Sequence, residues 1–374
     1  MIIDNSFIVD TAFTEIFNDI FENILLDLDK NNINQLMKFL NVKHDYEVQN
    51  FLYDLITNPD YYSLLDKYEI LKIYTKLSEI VRNSSTPENR FNSIKSIEER
   101  VRISRILLEC AEENTNLLKD FTTASSTEEN DKKLYENFLN TSLSSIVQFN
   151  KLFKNLFDYD RIFSREKNGD TYRKRYRNCV GSIICPYCNF YEIASKGLHI
   201  DHNLPKCNFP LFSLSKFNLV PSCKMCNMDY KKDQFKIFNP LTVNNKFDEE
   251  YSYVLKLKKK LQVGKEFQVD DFFIELVYDE NNVLIEDSLK YLGLRDIYNM
   301  ASGKSKQKSL LKLILSIGED ETSKNLYKCL DFEGKPIIFA MLGLGVEECN
   351  KKLYYYSSMS KFKQDILRQY KIKI

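Results

Sequence analysis

This chain has no surplus of charge of either sign, because 53 lysines and arginines are balanced by 53 aspartates and glutamates. A polycation that coats nucleic acid along its whole length is thereby excluded, and any phosphate-binding surface must be local. No uninterrupted apolar run approaches the roughly 18 residues of a membrane-spanning helix. The opening MIIDNSFIVDTAF has neither the basic start nor the apolar core of a secretion signal, so the cytoplasm is the expected location and no membrane partner is expected. A phosphate loop for nucleotides is missing as well. Gly303-Lys304-Ser305 has Tyr298 where the first glycine would stand, and Gly343 and Gly345 are followed by Glu348 in place of a third. Histidine is scarce: of three, only His44 stands outside the central segment, and with no metal-like neighbour it reads as a surface or core residue. There is no clear internal repeat. The nine cysteines do not form a disulfide framework, because four cluster while Cys110, Cys179, Cys207, Cys329 and Cys349 are scattered.

What is present is enough apolar residue, 43% of 374 positions, to bury substantial surface in two or three domains. Residues 1 to 170 repeat apolar positions at three and four spacing, as in FTEIFNDIFENILLDL, INQLMKFL, FLYDLI, YSLLDKYEILKIYTKLSEIV and RISRILLECAEE, which predicts a helical domain. Polar breaks at 83–87 and 122–127 read as loops between helices. Residues 163–170 read as a polar linker containing Gly169. Beyond it, TYRKRYRN interleaves tyrosines with Arg173 and Arg175, a composition that serves equally to grip a phosphate backbone or to lay long side chains along a helix face. After residue 245, YSYVLKLK, FFIELVYD and NVLI are rich in β-branched and aromatic residues and predict a small antiparallel sheet, with turn chemistry at 279–282. Helical patterning resumes in LKYLGLRDIY, SLLKLILSI and KPIIFAMLGLG.

The centre of the chain is CPYCNFYEIASKGLHIDHNLPKCNFPLFSLSKFNLVPSCKMCNMDYKK, residues 185–232. It holds two Cys-x-x-Cys knuckles, Cys185 with Cys188 and Cys223 with Cys226. Two thiolate pairs on tight turns supply the four ligands of a structural zinc, whose bonds to sulfur are about 2.3 Å long. The intervening segment is too small and polar to build its own core, so metal binding would contribute much of its folding free energy. From Tyr172 to Lys236 there are eleven basic residues against four acidic ones, a basic patch in a neutral protein.

These residues resemble the zinc-stapled HNH endonucleases of the ββα-metal class. The matching positions are Cys185, Pro186, Tyr187 and Cys188; Asp201, His202, Leu204, Pro205 and Lys206; Phe209 and Pro210; Asn218 to Pro221; Cys223, Cys226, Asn227 and Lys231; and, as an exit, Phe238-Asn239-Pro240-Leu241. The match covers about 60 residues. It departs from the family signature in its last letter, which is Asn227 instead of histidine. The resemblance implies an α+β fold, mainly α: an HNH module over 171–245, stapled by four cysteines on zinc, between an N-terminal helical domain (1–170) and a C-terminal small sheet with helices (246–374).

KGLHIDH and NLVPS are expected as strands, with helix from about Lys224. Alternation along a strand would send Asp201 and His202 to opposite faces, so a bend is expected between them. In the implied site His202 is the general base, since imidazole titrates near neutrality. His199 reads as structural. Asp201 and the Asn227 oxygen are expected to hold a catalytic Mg²⁺ or Mn²⁺, distinct from the zinc. Asn218 is expected to orient His202 through its carboxamide. Lys231, four residues beyond Asn227, is expected on the same helix face with its ammonium on a phosphate, and Lys206, Lys232, Arg173 and Arg175 complete the nucleic-acid contacts.

The expected function is hydrolysis of phosphodiester bonds by an HNH endonuclease, with DNA as first substrate and RNA as second. By resemblance it would serve as the effector of an anti-phage defence system beside a separate ATPase subunit. The alternative is a zinc-ribbon module that binds nucleic acid without cutting it; retention of Asp201, His202 and Asn227 distinguishes the two, since binding alone does not need them.

Overall fold

The structure, a computed structural model, describes residues 11–58, 151–181, 183–206, 209–232, 234, 237–241, 247–258, 272–300 and 360–369. The helical patterns expected over 62–81 and 102–113, the polar breaks, the SLLKLILSI and KPIIFAMLGLG segments, both glycine look-alikes, Lys236 and four of the scattered cysteines (Cys110, Cys207, Cys329, Cys349) lie outside these residues. Within them the fold is mixed α/β, mainly helical, with small two-stranded antiparallel sheets. No described helix is long and apolar enough to cross a membrane.

Compactness divides the chain into two units. One unit comprises Met1–Ile16, Glu166–Asn203 and Phe217–Ile374, the other Phe17–Arg165 and Leu204–Lys216. The connection between the two central strands thus leaves the first unit at Asn203 and rejoins it at Phe217.

The second unit is helical where described. Helix α1 (Thr11–Asp27), α2 (Lys30–Leu40) and α3 (Asp45–Thr57) bury apolar residues at helical spacing: Phe17, Ile20 and Ile24, then Leu36 and Leu40, then Val48, Phe51, Leu52, Leu55 and Ile56. Asp29 caps α2 by accepting the Asn32 N–H at 2.7 Å. His44 occupies the N-cap of α3, where its own N–H donates to the Glu47 carboxylate at 3.0 Å. The short helix α4 (Tyr159–Phe163) carries Arg161, which together with Arg165 donates to Asp27 at 2.8 and 2.7 Å. Leu204–Lys216 adds buried Phe209, Leu211, Phe212 and Leu214, with the Ser213 hydroxyl donating to the Phe157 carbonyl at 2.6 Å.

The other unit opens with a feature that differs from the linker expected. Glu166–Lys167 (β1) and Asp170–Thr171 (β2) form a hairpin whose turn is Asn168-Gly169, both at positive φ (58° and 82°). Asn-Gly satisfies the two left-handed positions of a tight hairpin turn with little steric cost, so the linker is an ordered reversal. Thr171 then caps α5 (Tyr172–Val180) through the Lys174 N–H. Tyr172, Tyr176 and Val180 recur every four residues and are all buried, and the Tyr176 hydroxyl donates to the Leu219 carbonyl at 2.7 Å. The tyrosines therefore anchor this helix to the interior instead of offering rings for stacking on bases.

Strands β3 (Ile183–Ile184) and β4 (Glu192–Ile193) pair around the first knuckle. Strands β5 (His199–His202) and β6 (Leu219–Ser222) pair in the register His199↔Ser222 to His202↔Leu219, and the next helical segment, Met225–Lys231, is wound as a π-helix, with the Lys232 N–H reaching the Asn227 carbonyl at 2.9 Å.

The expected C-terminal sheet is present as β7 (Tyr251–Leu257) and β8 (Phe272–Tyr278), alternating buried and exposed. NVLI is not its third strand. Asn282 caps a helix instead, accepting the Ile285 N–H, and α6 runs Val283–Tyr291. Three apolar residues are too few for periodicity to separate strand from helix, and the cap decides it. Gly293, at φ +60°, ends α6 before α7 (Leu294–Asn299), and a Cβ there would lie 2.1 Å from the Tyr230 ring. Helix α8 (Ser360–Gln369) packs on β7, where Asp365 accepts the Tyr253 N–H at 3.0 Å.

Candidate metal centre and the Asp201 node

The four knuckle cysteines converge. Cys185, Cys188, Cys223 and Cys226 are all buried, and their sulfurs lie within 4.8 Å of one another. Backbone N–H groups of the second knuckle face sulfur: Cys223 N–H donates to Cys185 Sγ at 3.4 Å and Cys226 N–H to Cys223 Sγ at 3.3 Å. The Asn189 N–H closes the first turn onto the Cys185 carbonyl at 2.8 Å, with Asn189 itself at φ 51°.

Sulfurs bonded to a tetrahedral zinc would be separated by about 3.8 Å, so the cluster is compatible with a zinc site after little movement. The thiol electrostatics agree. Burial, then the Cys185 and Cys223 sulfurs, push Cys188 well above its ordinary value, and the three neighbouring sulfurs raise Cys226 likewise. Against burial, hydrogen bonds from the other three sulfurs bring Cys185 well below its own. Such a set readily holds one thiolate and resists a second; only a bound dication makes four thiolates tolerable in one dry pocket.

The first knuckle is tied into its own unit. The Tyr298 hydroxyl donates to the Cys188 carbonyl at 3.2 Å, and the Lys361 N–H donates to the Asn189 side chain at 3.3 Å. Rings continue the contact: Phe190 meets Tyr298 at 5.2 Å between centroids, and Tyr298 meets Tyr253 at 4.3 Å.

Asp201 and His202 both lie in β5, so the bend expected between them comes one residue later, at Asn203. Pairing carries on past the strand, the Asn203 N–H donating to the Asn218 carbonyl at 2.9 Å. Strand alternation therefore sends the two side chains to opposite faces. His202 is buried, and its backbone carbonyl accepts from Lys231 Nζ at 2.7 Å. Asn218 is wholly buried, and its backbone carbonyl is the acceptor of that Asn203 N–H across the loop. Asn227 is half-buried on the π-helix. Asn239, from the exit motif, pins the strand entrance by donating to the Phe217 carbonyl at 2.9 Å.

Asp201 is the centre of a second buried cluster. The Tyr187 hydroxyl, from inside the first knuckle, donates to Oδ2 at 2.7 Å. Lys231 Nζ lies 3.2 Å from Oδ1 and 3.1 Å from Oδ2. The Lys231 side chain is 0% exposed and that of Asp201 5%. Burial raises the Asp201 carboxyl above its ordinary range, working against Lys231 and Tyr187, which favour the anion. Tyr187 is held well above its ordinary value by burial and by the Asp201 charge, so it stays a donor.

Lys231 is thus corrected: it does not present its ammonium to solvent on the helix face, because a buried carboxylate and a strand-end carbonyl draw it inward. Of the other expected nucleic-acid contacts, Lys232 is exposed at φ 49°, and Arg173 and Arg175 are half-buried, Arg175 lying 5.5 Å from the Tyr172 ring centroid. Lys206 is exposed but pairs with Asp160 and lies 5.1 Å from the Tyr159 ring centroid, within the helical unit. His199 is half-buried, and burial first, then Arg177 and Lys224, lowers its imidazole below the usual value. Sequence reasoning missed Tyr187 as a partner of Asp201, although its place in the first Cys-x-x-Cys turn brought it into view.

No family model matches this chain, and no solved structure matches it. A stretch of 53 residues is 43% identical to protein ea31 of Escherichia phage lambda. It spans 14% of this chain and 17% of that protein's length.

Proposed function

We propose that this chain is an endonuclease of the HNH kind that hydrolyses phosphodiester bonds in DNA. The observation that carries the reading is the hairpin β5–β6 followed by a helix, with Asp201 and His202 on the first strand, Asn227 on the helix, and buried cysteines in the β3–β4 turn and at the start of the helix. In this reading His202 takes the proton from the attacking water, and the neighbouring backbone, fixed by Lys231 and Asn203, holds the imidazole in place. Lys232, Arg173 and Arg175 contact phosphates. The family resemblance assigns Asp201 and Asn227 to a Mg²⁺ or Mn²⁺, which would stabilise negative charge developing on the phosphoryl and leaving oxygens. As arranged, the two do not offer that site, since both Asp201 oxygens are already engaged by Tyr187 and Lys231. Service in an anti-phage defence module beside a separate ATPase follows from the resemblance alone.

That same engagement favours a second reading, a zinc-ribbon module that holds nucleic acid without cutting it. The two separate in one experiment. Zinc-loaded full-length protein is incubated with supercoiled plasmid and Mg²⁺ or Mn²⁺, beside His202→Ala. Nicking by the wild type that drops about a hundredfold or more in the variant supports the nuclease. Equal nicking by both removes His202 from its role, and plasmid retardation without nicking by either favours the binding module.

A further inference from the structure

Asp201 already carries a cation. Lys231 Nζ stands within 3.2 Å of both carboxylate oxygens and 2.7 Å from the His202 carbonyl, so an ammonium receives three oxygen contacts in a pocket closed to solvent. Carboxylate oxygens with a backbone carbonyl are the donors a hard divalent cation uses. A cation bound to the same carboxylate would face the Lys231 charge at close range in a low-dielectric interior, where like charges repel strongly.

We propose that Lys231 is a built-in competitor of a divalent cation at Asp201: its ammonium fills the position beside the carboxylate and must withdraw before the ion binds. The inference rests on the reading of Asp201 as a cation ligand in the proposed nuclease. Tyr187 is the fixed element of the device. Its hydroxyl keeps Oδ2 in place from the rigid knuckle turn, so displacement of Lys231 leaves the carboxylate aimed at the same point. Withdrawal is open to Lys231 in a way it is not to an arginine clamp, because its stem is flexible and it is the last residue of the π-helix, where Lys232 at φ 49° breaks the helical winding.

The test is a Mn²⁺ titration of zinc-loaded full-length protein, with free Mn²⁺ read by electron paramagnetic resonance and with melting and zinc content recorded for every variant. Lys231→Met is expected to bind Mn²⁺ about tenfold or more tightly than wild type, and Lys231→Arg no more tightly than wild type. Unchanged or weaker binding by a folded Lys231→Met overturns the competitor. Asp201→Asn separates this failure from that of the nuclease reading: if it leaves Mn²⁺ binding unchanged, Asp201 is not a ligand and both fall, whereas if it abolishes binding and Lys231→Met has no effect, only the competitor falls. Should Lys231→Met not fold, wild-type protein decides the matter through amine labelling read by mass spectrometry. Labelling of Lys231 that rises with Mn²⁺ supports withdrawal, and labelling that ignores Mn²⁺ overturns it.

Discussion

Two buried polar clusters, joined by Tyr187, handle charge in opposite ways. The cysteine cluster gathers four thiols and, among the described residues, no cation of its own, an arrangement compatible with a zinc ion supplied from outside. The Asp201 node gathers one carboxylate, one ammonium and a hydroxyl, and neutralises itself. A closed protein can carry the second arrangement at all times, whereas four thiolates together would need a dication. The contrast also separates a candidate staple from a candidate switch: a four-sulfur zinc would leave no ligand position open, while an ammonium held by salt bridge and hydrogen bond can be exchanged.

The sharpest way to break the comparison is to remove the external cation. Cys185→Ser, Cys226→Ser or a strong chelator should unfold the unit that carries the knuckles, because structural zinc contributes on the order of 10 kcal/mol to small metal-bound modules. Elemental analysis should find one tightly held zinc per chain, and circular dichroism should show the loss. Retention of structure by both variants would sink the staple.

Next in size is the internal cation. Lys231→Ala should destabilise the protein by about 3–5 kcal/mol, since it strands a buried carboxylate, while the double change Lys231→Met with Asp201→Leu should recover most of that loss. Chemical denaturation of the four-member cycle measures the coupling; purely additive effects would mean that the pair does not act as one.

Smaller again is a purely steric change nearby. Gly293→Ala should cost about 1–3 kcal/mol, from a non-glycine residue at φ +60° and from its Cβ meeting the Tyr230 ring. Tyr230→Ala should relieve the steric part, and thermal melting of single and double variants checks it.

The smallest effect concerns Lys216, in the helical unit, whose ammonium burial holds down to about 8. Its folded value lies below its ordinary one, so its contribution is fully present above about 10.5 and is lost as pH falls through 8. Lys216→Met should therefore raise the melting temperature modestly at pH 7 and little at pH 10.5. An equal shift at both would point to packing instead of charge.

The chain itself determined the cysteine knuckles, because Cys-x-x-Cys is a local arrangement in which one turn brings two sulfurs together whatever surrounds it. It likewise determined the helices at the start of the chain and the strands β5, β6, β7 and β8, the last two of which bury alternate residues. Asn168-Gly169 was legible too, as a two-residue turn, although a polar composition reads more easily as a linker. NVLI was not legible, since three apolar residues fit either period and the Asn282 cap had to settle it.

Spacing places Asn227 and Lys231 near one another on a helix but carries no information about what lies opposite. Only the tertiary structure sent the Lys231 ammonium inward and set Tyr187 on Asp201, because these contacts join residues 30 and 14 positions apart. The direction of a long charged side chain is decided by the partner it finds, and a buried carboxylate outweighs solvent when it offers an ammonium both oxygens and a carbonyl besides.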